Sequence, residues 1–381
     1  MDGTGGLDGV DAAVAHWGVR SPGGAEQVAV AIAETLDVDR IYTVGRPDAG
    51  TLRTYPDVEF YDVLGDLPYS ALRRVGARSR AFEYGVWEDV DWRRYGPPDL
   101  LVTSGATTRA VLTPDPTLHV NYCHSPPRWL YDRYHDRVAE LPAPLSLAVR
   151  PALRYLRTRD AAVDKRVDGY LANSPVIARR LWKFYGRDAE VVYPPVDVAA
   201  YEPGPPGEFY LHVGRLDGEK GVEAVVEAFA GLDRELVLVG PDGDATAAVE
   251  RRVAAAPNVE RRGFVPEEEK RALLARCRAV VFNGASEDFG IVPVEALASG
   301  TATLARDEGF PGLFVREGET GLLHDGTAAG IRAAVERFEA DPFGADPAAA
   351  ERFSRECFER QLRETLADRL AAFRERFAVD P

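Results

Sequence analysis

The stretch Ala279-Val280-Val281-Phe282-Asn283-Gly284-Ala285-Ser286-Glu287-Asp288-Phe289-Gly290-Ile291-Val292-Pro293-Val294-Glu295-Ala296-Leu297-Ala298 decides the fold. Its first four residues have the length and apolar character of a buried strand, and its last four continue as helix, so a strand-to-helix turn lies between them. Gly290 supplies the positive φ such a turn uses, and Pro293 is expected at the first helical position, where a missing N–H costs nothing. The backbone N–H groups of Phe289, Gly290, Ile291 and Val292 are then free to meet an anion, with the helix dipole adding partial positive charge. A carboxylate repels phosphate, so Glu287 and Glu295 are expected to face hydroxyls, each accepting two hydrogen bonds from a vicinal diol. A phosphate cradle between two diol clamps suits a sugar, a diphosphate and a ribose in series, which is a nucleotide-sugar. Most glutamate pairs at this spacing are solvated surface, so the reading leans on the rest of the chain.

The same alternation of strand, loop and helix runs outward in both directions. Towards the middle of the chain, Phe209–Val213, Leu236–Val239 and Val259–Gly263 read as strands, with helices over Gly221–Leu232 and up to Val253; Thr301–Leu304 is a further strand. In the first half, Val10–Trp17 is a strand, Gly18–Gly24 a turn and Ala25–Leu36 an apolar-patterned helix. Arg40–Val44, Leu100–Thr103, Thr117–Tyr122 and Gly169–Ala172 are further short strands. Glu202-Pro203-Gly204-Pro205-Pro206-Gly207 is the clearest linker, and 381 residues exceed what one core usually organises. The expected architecture is α/β, with two doubly wound Rossmann-like domains over residues 1–203 and 204–350. Residues 351–381 are expected to form a C-terminal helix crossing back onto the N-terminal domain.

The formal charge of -15 excludes a general nucleic-acid binder, and Lys165, Lys183, Lys220 and Lys270 are the only lysines among 46 basic residues. An acid-rich, lysine-poor balance suggests a high-salt cytoplasm. Residues 70–186 run the other way, with nineteen Arg and Lys against twelve Asp and Glu. Intrahelical pairs account for such a bias as well as an anionic lipid surface or a phosphorylated acceptor does; for the latter Arg73, Arg74, Arg78, Arg80, Arg150, Arg154, Arg157 and Arg159 are the candidates. No apolar run approaches a membrane span and Met1-Asp2-Gly3 opens no signal peptide, so a cytosolic protein is expected. Cys123, Cys277 and Cys357 are too scattered for a disulfide framework or a zinc site, and the six histidines lack ligand spacing, so no metal or cofactor is expected.

Further chemistry gathers at predicted strand ends. Gly214-Arg215-Leu216-Asp217-Gly218-Glu219-Lys220-Gly221 follows the first strand of the second domain, where open α/β sheets bind ligands. Arg215 and Lys220 can neutralise a diphosphate and stabilise it as a leaving group; an ordinary charged turn reads equally well. In the first domain, Ser21-Pro22-Gly23-Gly24-Ala25-Glu26 starts a helix with two glycines that allow close backbone approach, yet it is no dinucleotide fingerprint. Tyr122-Cys123-His124-Ser125-Pro126-Pro127 places His124 and Ser125 just past a strand, at the expected interdomain cleft. Asn173-Ser174 resembles a helix cap, and Tyr193-Pro194-Pro195-Val196-Asp197 a rigid entry to the linker.

Together these segments resemble the retaining glycosyltransferases of the family 4 type, which have the GT-B fold, two Rossmann-like domains facing a cleft. The resemblance rests on Glu287 to Glu295 and on Gly214-Arg215 through Lys220-Gly221. Ser299-Gly300-Thr301, Gly318-Glu319-Thr320-Gly321-Leu322-Leu323 and the first-domain segments quoted above add to it. It implies that Arg215 and Lys220 hold the donor diphosphate, that Glu287 contacts the donor sugar and Glu295 the ribose, and that Phe289, Gly290 and Ile291 present backbone amides. Gly23 and Gly24 would meet phosphate from the facing domain, and His124, beside Ser125, the donor sugar. It further implies a metal-independent reaction in which the acceptor attacks on the face the leaving phosphate departs from. One departure stands out: Gly309-Phe310-Pro311-Gly312-Leu313 has glycine where the family often has an acid. The His124 and Tyr193–Asp197 segments look most like members using GDP-mannose to extend lipid-linked or cell-surface glycans. The expected partners are therefore a nucleotide-sugar donor, a glycan or polyprenyl-phosphate-linked acceptor and the inner membrane face. A glycosidase using the two glutamates as acid and base, a nucleotide-sugar epimerase and a non-catalytic sugar-nucleotide scaffold are the rival readings.

Overall fold

The computed structural model describes residues 6–18, 23–67 and 80–377. The chain divides into two compact units, Met1–Pro194 with Phe358–Pro381, and Pro195–Cys357.

The first unit is built on seven parallel strands: β1 (Ala12–His16), β2 (Arg40–Thr43), β3 (Glu59–Asp62), β4 (Leu100–Ser104), β5 (Leu118–Cys123), β6 (Gly169–Ala172) and β7 (Glu190–Val191), in the order β3-β2-β1-β4-β5-β6-β7. Parallel neighbours require crossovers, and the order reverses direction between β1 and β4, which makes their C-terminal ends a topological switch point. The central strands are apolar runs buried on both faces, as in Leu100-Leu101-Val102. Strands β3 and β7, at the sheet's edges, are short and part-exposed, so they lack the apolar run that marks the others in sequence.

On one face the helix Gly24–Thr35 packs Val28 and Ile32 against Val14 and Ile41. The helix Arg355–Phe377 lies in the same cluster, and its Phe358, Leu362, Leu366 and Leu370 recur every four residues along one stripe. The other face is packed by Trp87, Trp92 and their neighbours around a buried polar knot. There Asp160, fully buried, pairs with Arg109 and accepts hydrogen bonds from Tyr84, Tyr131 and Tyr185, each at 2.7 Å. A buried charge needs this degree of satisfaction to be tolerated. The basic bias of residues 70–186 is partly internal for the same reason. Arg159 and Arg166 share Glu88, and Arg157 donates to Leu130 O beneath the Tyr134 ring. Arg154 is exposed, whereas Arg73, Arg74, Arg78 and the side chain of Arg80 lie outside the described residues.

The second unit has six parallel strands, β8 (Phe209–Val213), β9 (Glu235–Val239), β10 (Val259–Gly263), β11 (Val280–Phe282), β12 (Thr303–Arg306) and β13 (Gly321–His324), ordered β10-β9-β8-β11-β12-β13. Its switch point lies between β8 and β11. The apolar core runs from Tyr210, Val225 and Phe229 through Val281 and Leu304 to Ile331 and Phe338. The Pro/Gly stretch at 202–207 sits inside this unit instead of at its edge: Gly207 N donates to Arg276 O at 2.7 Å, and a Cβ on Gly204 would collide with Ala275 O. The boundary accordingly falls at Pro194–Pro195. At the other end Val196 N donates to Phe353 O at 2.8 Å, which keeps the 3₁₀ turn Pro347–Phe353 with the second unit until the chain re-enters the first at Phe358.

Candidate active site

The loops that leave β8 and β11 bring two of the residues singled out from sequence, Lys220 and Glu287, into contact. Gly218–Lys220 forms a single 3₁₀ turn closed by Gly221 at φ +61°, where a Cβ would run into Asn283. Asn283, at the end of β11, donates to Gly221 O at 2.9 Å and to Gly326 O at 3.2 Å, tying three strand ends into one surface. Across this junction Lys220 Nζ lies 2.6 Å from Glu287 Oε2. Each was expected to meet a different part of a donor, and in the free protein they neutralise each other. Arg215 instead pairs with Asp217 at 2.8 Å and is 63% exposed, so it is available to an incoming anion.

Glu287 is held by its main chain. Phe310 N donates to Glu287 O at 2.9 Å, and Gly309, at φ +71°, packs so closely that a Cβ would meet the Glu287 nitrogen at 2.6 Å. Glycine is therefore required at 309 by backbone geometry. Phe289 is buried, its ring stacked on Phe310 at 5.6 Å and edge-on to Phe353. Gly290 takes φ +76° and caps the helix Ile291–Ala298. Pro293 is thus the third helical residue and not the first; it is tolerated because the N–H groups of the whole first turn lack intrahelical acceptors.

Glu295, on that helix, is 3% exposed. Lys270 Nζ, from the helix Glu267–Arg276, lies 2.8 Å from both Glu295 Oε1 and Glu267 Oε1, and Tyr201 donates to Glu267 at 3.1 Å. Glu295 Oε2 is buried without a hydrogen-bond partner among the described residues. Burial opposes the Lys270 ammonium, but Glu295 and Glu267 outweigh it and hold its pKa above the ordinary lysine value. The role of Lys270 is not legible in sequence, because its partner lies 25 residues away on another helix.

In the first unit the switch point carries His124. Its Nε2 is 2.7 Å from Ser104 Oγ, which is 2.9 Å from His16 Nδ1; His16 and Ser104 are register partners at the ends of β1 and β4. Asn173 donates to His124 O at 3.0 Å, while Ser174 caps the helix Pro175–Tyr185 through Ile177 N. Burial, with His16 nearby, pushes His124 down to about 3, so its ring is neutral. Ser125 Oγ donates to Pro126 O at 3.2 Å. Gly23 is extended and exposed at the start of the helix Gly24–Thr35, and a Cβ on Gly24 would meet no atom within 4 Å, which leaves its approach open.

Residues 199–357, nearly the whole of the second unit, match the family described as glycosyl transferases group 1. That match places the second unit, under half of the chain, with this family in sequence. Among relatives, the D-inositol 3-phosphate glycosyltransferase of Nocardia farcinica is 34% identical over 185 residues, 41% of this chain and 41% of that protein. The protein of the same description from Corynebacterium glutamicum is 37% identical over 164 residues, 36% and 39% of the two chains. The chain therefore spans less than half the length of the curated relatives it matches. In fold the likeness extends further. Anabaena HepE, solved in complex with UDP-glucose, superposes with a TM-score of 0.69 at 19% identity, covering 94% of this chain and all of that one. A sucrose-phosphate synthase from Thermosynechococcus elongatus gives 0.70 at 18% identity, covering 95% and 100%. The fold shared with these structures is GT-B, two Rossmann-like units, with the C-terminal helix returned to the first.

Proposed function

We propose that the chain transfers a hexose from a nucleoside-diphosphate sugar with retention at the anomeric carbon. The observation that carries this reading is the convergence of Lys220, Glu287 and the Gly290-capped helix on one switch point. Lys220 and Arg215 supply positive charge for the diphosphate, with the first-turn amides of Phe289, Gly290 and Ile291 beside them. A phosphate that binds Lys220 releases Glu287 from its pair and frees its oxygens for sugar hydroxyls. Glu295, with one oxygen held by Lys270 and the other unbonded, is suited to the ribose diol. The acceptor hydroxyl attacks the anomeric carbon as the bond to the phosphate oxygen breaks, and that oxygen takes the proton. No protein nucleophile is needed, and charge neutralisation by Lys220 and Arg215 asks for no metal. A nucleotide-sugar epimerase would draw on the same donor groups, and a requirement for an acceptor is what separates the two readings.

The resemblance of the His124 and Tyr193–Asp197 segments favours GDP-mannose, whereas the relation to HepE, solved with UDP-glucose, favours a uridine donor. A phosphorylated acceptor suits both the relatives described as D-inositol 3-phosphate glycosyltransferases and a polyprenyl-phosphate glycan. Among the described residues no helix is long and apolar enough to cross a membrane. Access to a lipid-linked acceptor would fall to the surface that carries exposed Leu145, Leu147, Tyr155 and Arg154.

Calorimetric titration of GDP-mannose, UDP-glucose, UDP-N-acetylglucosamine and dTDP-rhamnose in molar potassium chloride tests the donor, and Glu287→Ala tests the chemistry. The variant is expected to stay folded and lose turnover. Near-normal turnover in it would remove Glu287 from the mechanism, and no donor binding to the folded parent would favour the scaffold.

A further inference from the structure

His16 Nδ1, Ser104 Oγ and His124 Nε2 form one hydrogen-bonded line, and a hydroxyl at its centre can donate to only one ring. Two arrangements satisfy the line. In one, His16 donates to Ser104 and Ser104 donates to His124 Nε2. In the other, His124 Nε2–H donates to Ser104 and Ser104 donates to His16 Nδ1. The far end decides between them. His16 is fully buried, its Nε2 has no hydrogen-bond partner among the described residues, and Glu26 Oε1 stands 3.8 Å away. The first arrangement turns a bare nitrogen lone pair towards a carboxylate, acceptor against acceptor. The second turns an N–H towards it, which is attractive even beyond hydrogen-bond length.

We propose that His16 and Ser104 are positioning residues that fix His124 in the Nε2-protonated tautomer, so that its Nδ1 lone pair accepts a hydrogen bond from a sugar hydroxyl. His124 Nδ1 has no hydrogen bond with any described residue, and the Asn173 bond to His124 O holds the main chain beneath the ring. The neutrality of His124 fits an acceptor: an imidazolium would present N–H groups only. The tautomer itself follows from first-unit geometry alone, while the identity of the hydroxyl rests on the glycosyl-transfer reading above.

Long-range proton–nitrogen correlation on the full chain labelled with ¹⁵N-histidine reads the tautomer directly, with His124→Gln assigning the signals. The expected result is a protonated Nε2 and a bare Nδ1 on His124. In Ser104→Ala the two tautomers should mix, and Ser104→Thr should restore the parent state. A protonated Nδ1 on parental His124, or a doubly protonated His16, which reverses the line, overturns the proposal. An unchanged His124 tautomer in Ser104→Ala also overturns it. If the parent turns over a donor, Ser104→Ala should lower kcat/KM roughly tenfold, the loss of one neutral hydrogen bond. The deficit should disappear with a deoxy-sugar donor lacking the hydroxyl that His124 binds. A deficit that persists with every deoxy donor counts against the acceptor role. A parent without transferase activity, yet with the expected tautomer, would fail the functional reading and leave the tautomer assignment standing.

Discussion

Replacing Lys270 by methionine removes the cation that bonds Glu295 and leaves the carboxylate, 5% exposed at its side chain, without its ion-pair partner. Removing one partner of a buried ion pair typically costs about 3–5 kcal/mol. Lys270 keeps some solvent contact, 17% of its side chain, so a destabilisation of about 2–3.5 kcal/mol is expected at neutral pH. Since the folded state holds the Lys270 pKa above the ordinary lysine value, the pair's contribution in the parent is full below that ordinary value and is lost as the pH climbs through the raised one. Trp17, Trp87, Trp92, Trp129 and Trp182 all lie in the first unit, so fluorescence does not see this event. Hydrogen exchange of β11, β12 and the helix Ile291–Ala298 does. A double-mutant cycle with Glu295→Gln should return a coupling of about 2 kcal/mol. A Lys270→Met deficit under 0.5 kcal/mol at pH 7 would refute the argument.

Three further outcomes are expected. Lys220→Ala should weaken nucleotide-sugar binding by about 1.5–3 kcal/mol, the value of a charge-assisted contact, measured by calorimetry; unchanged affinity would move the phosphate site elsewhere. Gly309→Ala forces a Cβ into the Glu287 backbone at a positive φ, so it should lose at least about 1 kcal/mol of stability and most turnover together; parental turnover would mean that the Glu287 loop needs no such support. Leu366→Ala opens a cavity beneath the C-terminal helix and should cost about 2–5 kcal/mol in urea unfolding followed by tryptophan fluorescence, which reports the first unit.

The central strands are legible in sequence because burial on both faces writes an uninterrupted apolar run, as in Val280-Val281-Phe282 and Leu236-Val237-Leu238-Val239. The edge strands of the first unit are not: Glu59–Asp62 shows only part-buried and exposed residues, and Glu190–Val191 is too short to carry a pattern. The strand-end position of Lys220 and Glu287 is also readable, since loops after apolar runs are where such folds bind ligands. Their mutual pairing is not, because it depends on β8 and β11 being neighbours in the sheet. His16 and Ser104 escape notice for the same reason. Each is one polar residue at the tip of an apolar strand, and only the parallel register aligns them with His124. The Pro/Gly stretch at 202–207 misleads in the opposite direction, its composition being that of a linker while its glycines admit close contact with the backbone at 275–276.

The helix Arg355–Phe377 belongs to the first unit yet is translated after the second. Ribosomal synthesis at about 5–20 residues per second places Phe358 roughly ten to thirty seconds behind Pro194. Through that interval the nascent first unit has its sheet and its early helices but an open greasy flank where Phe358, Leu362, Leu366 and Leu370 will dock. The second unit, contiguous from Pro195 to Cys357, faces no such wait. Assembly order is thereby inverted relative to chain order, and a chaperone acting on this protein would be expected to guard the half made first.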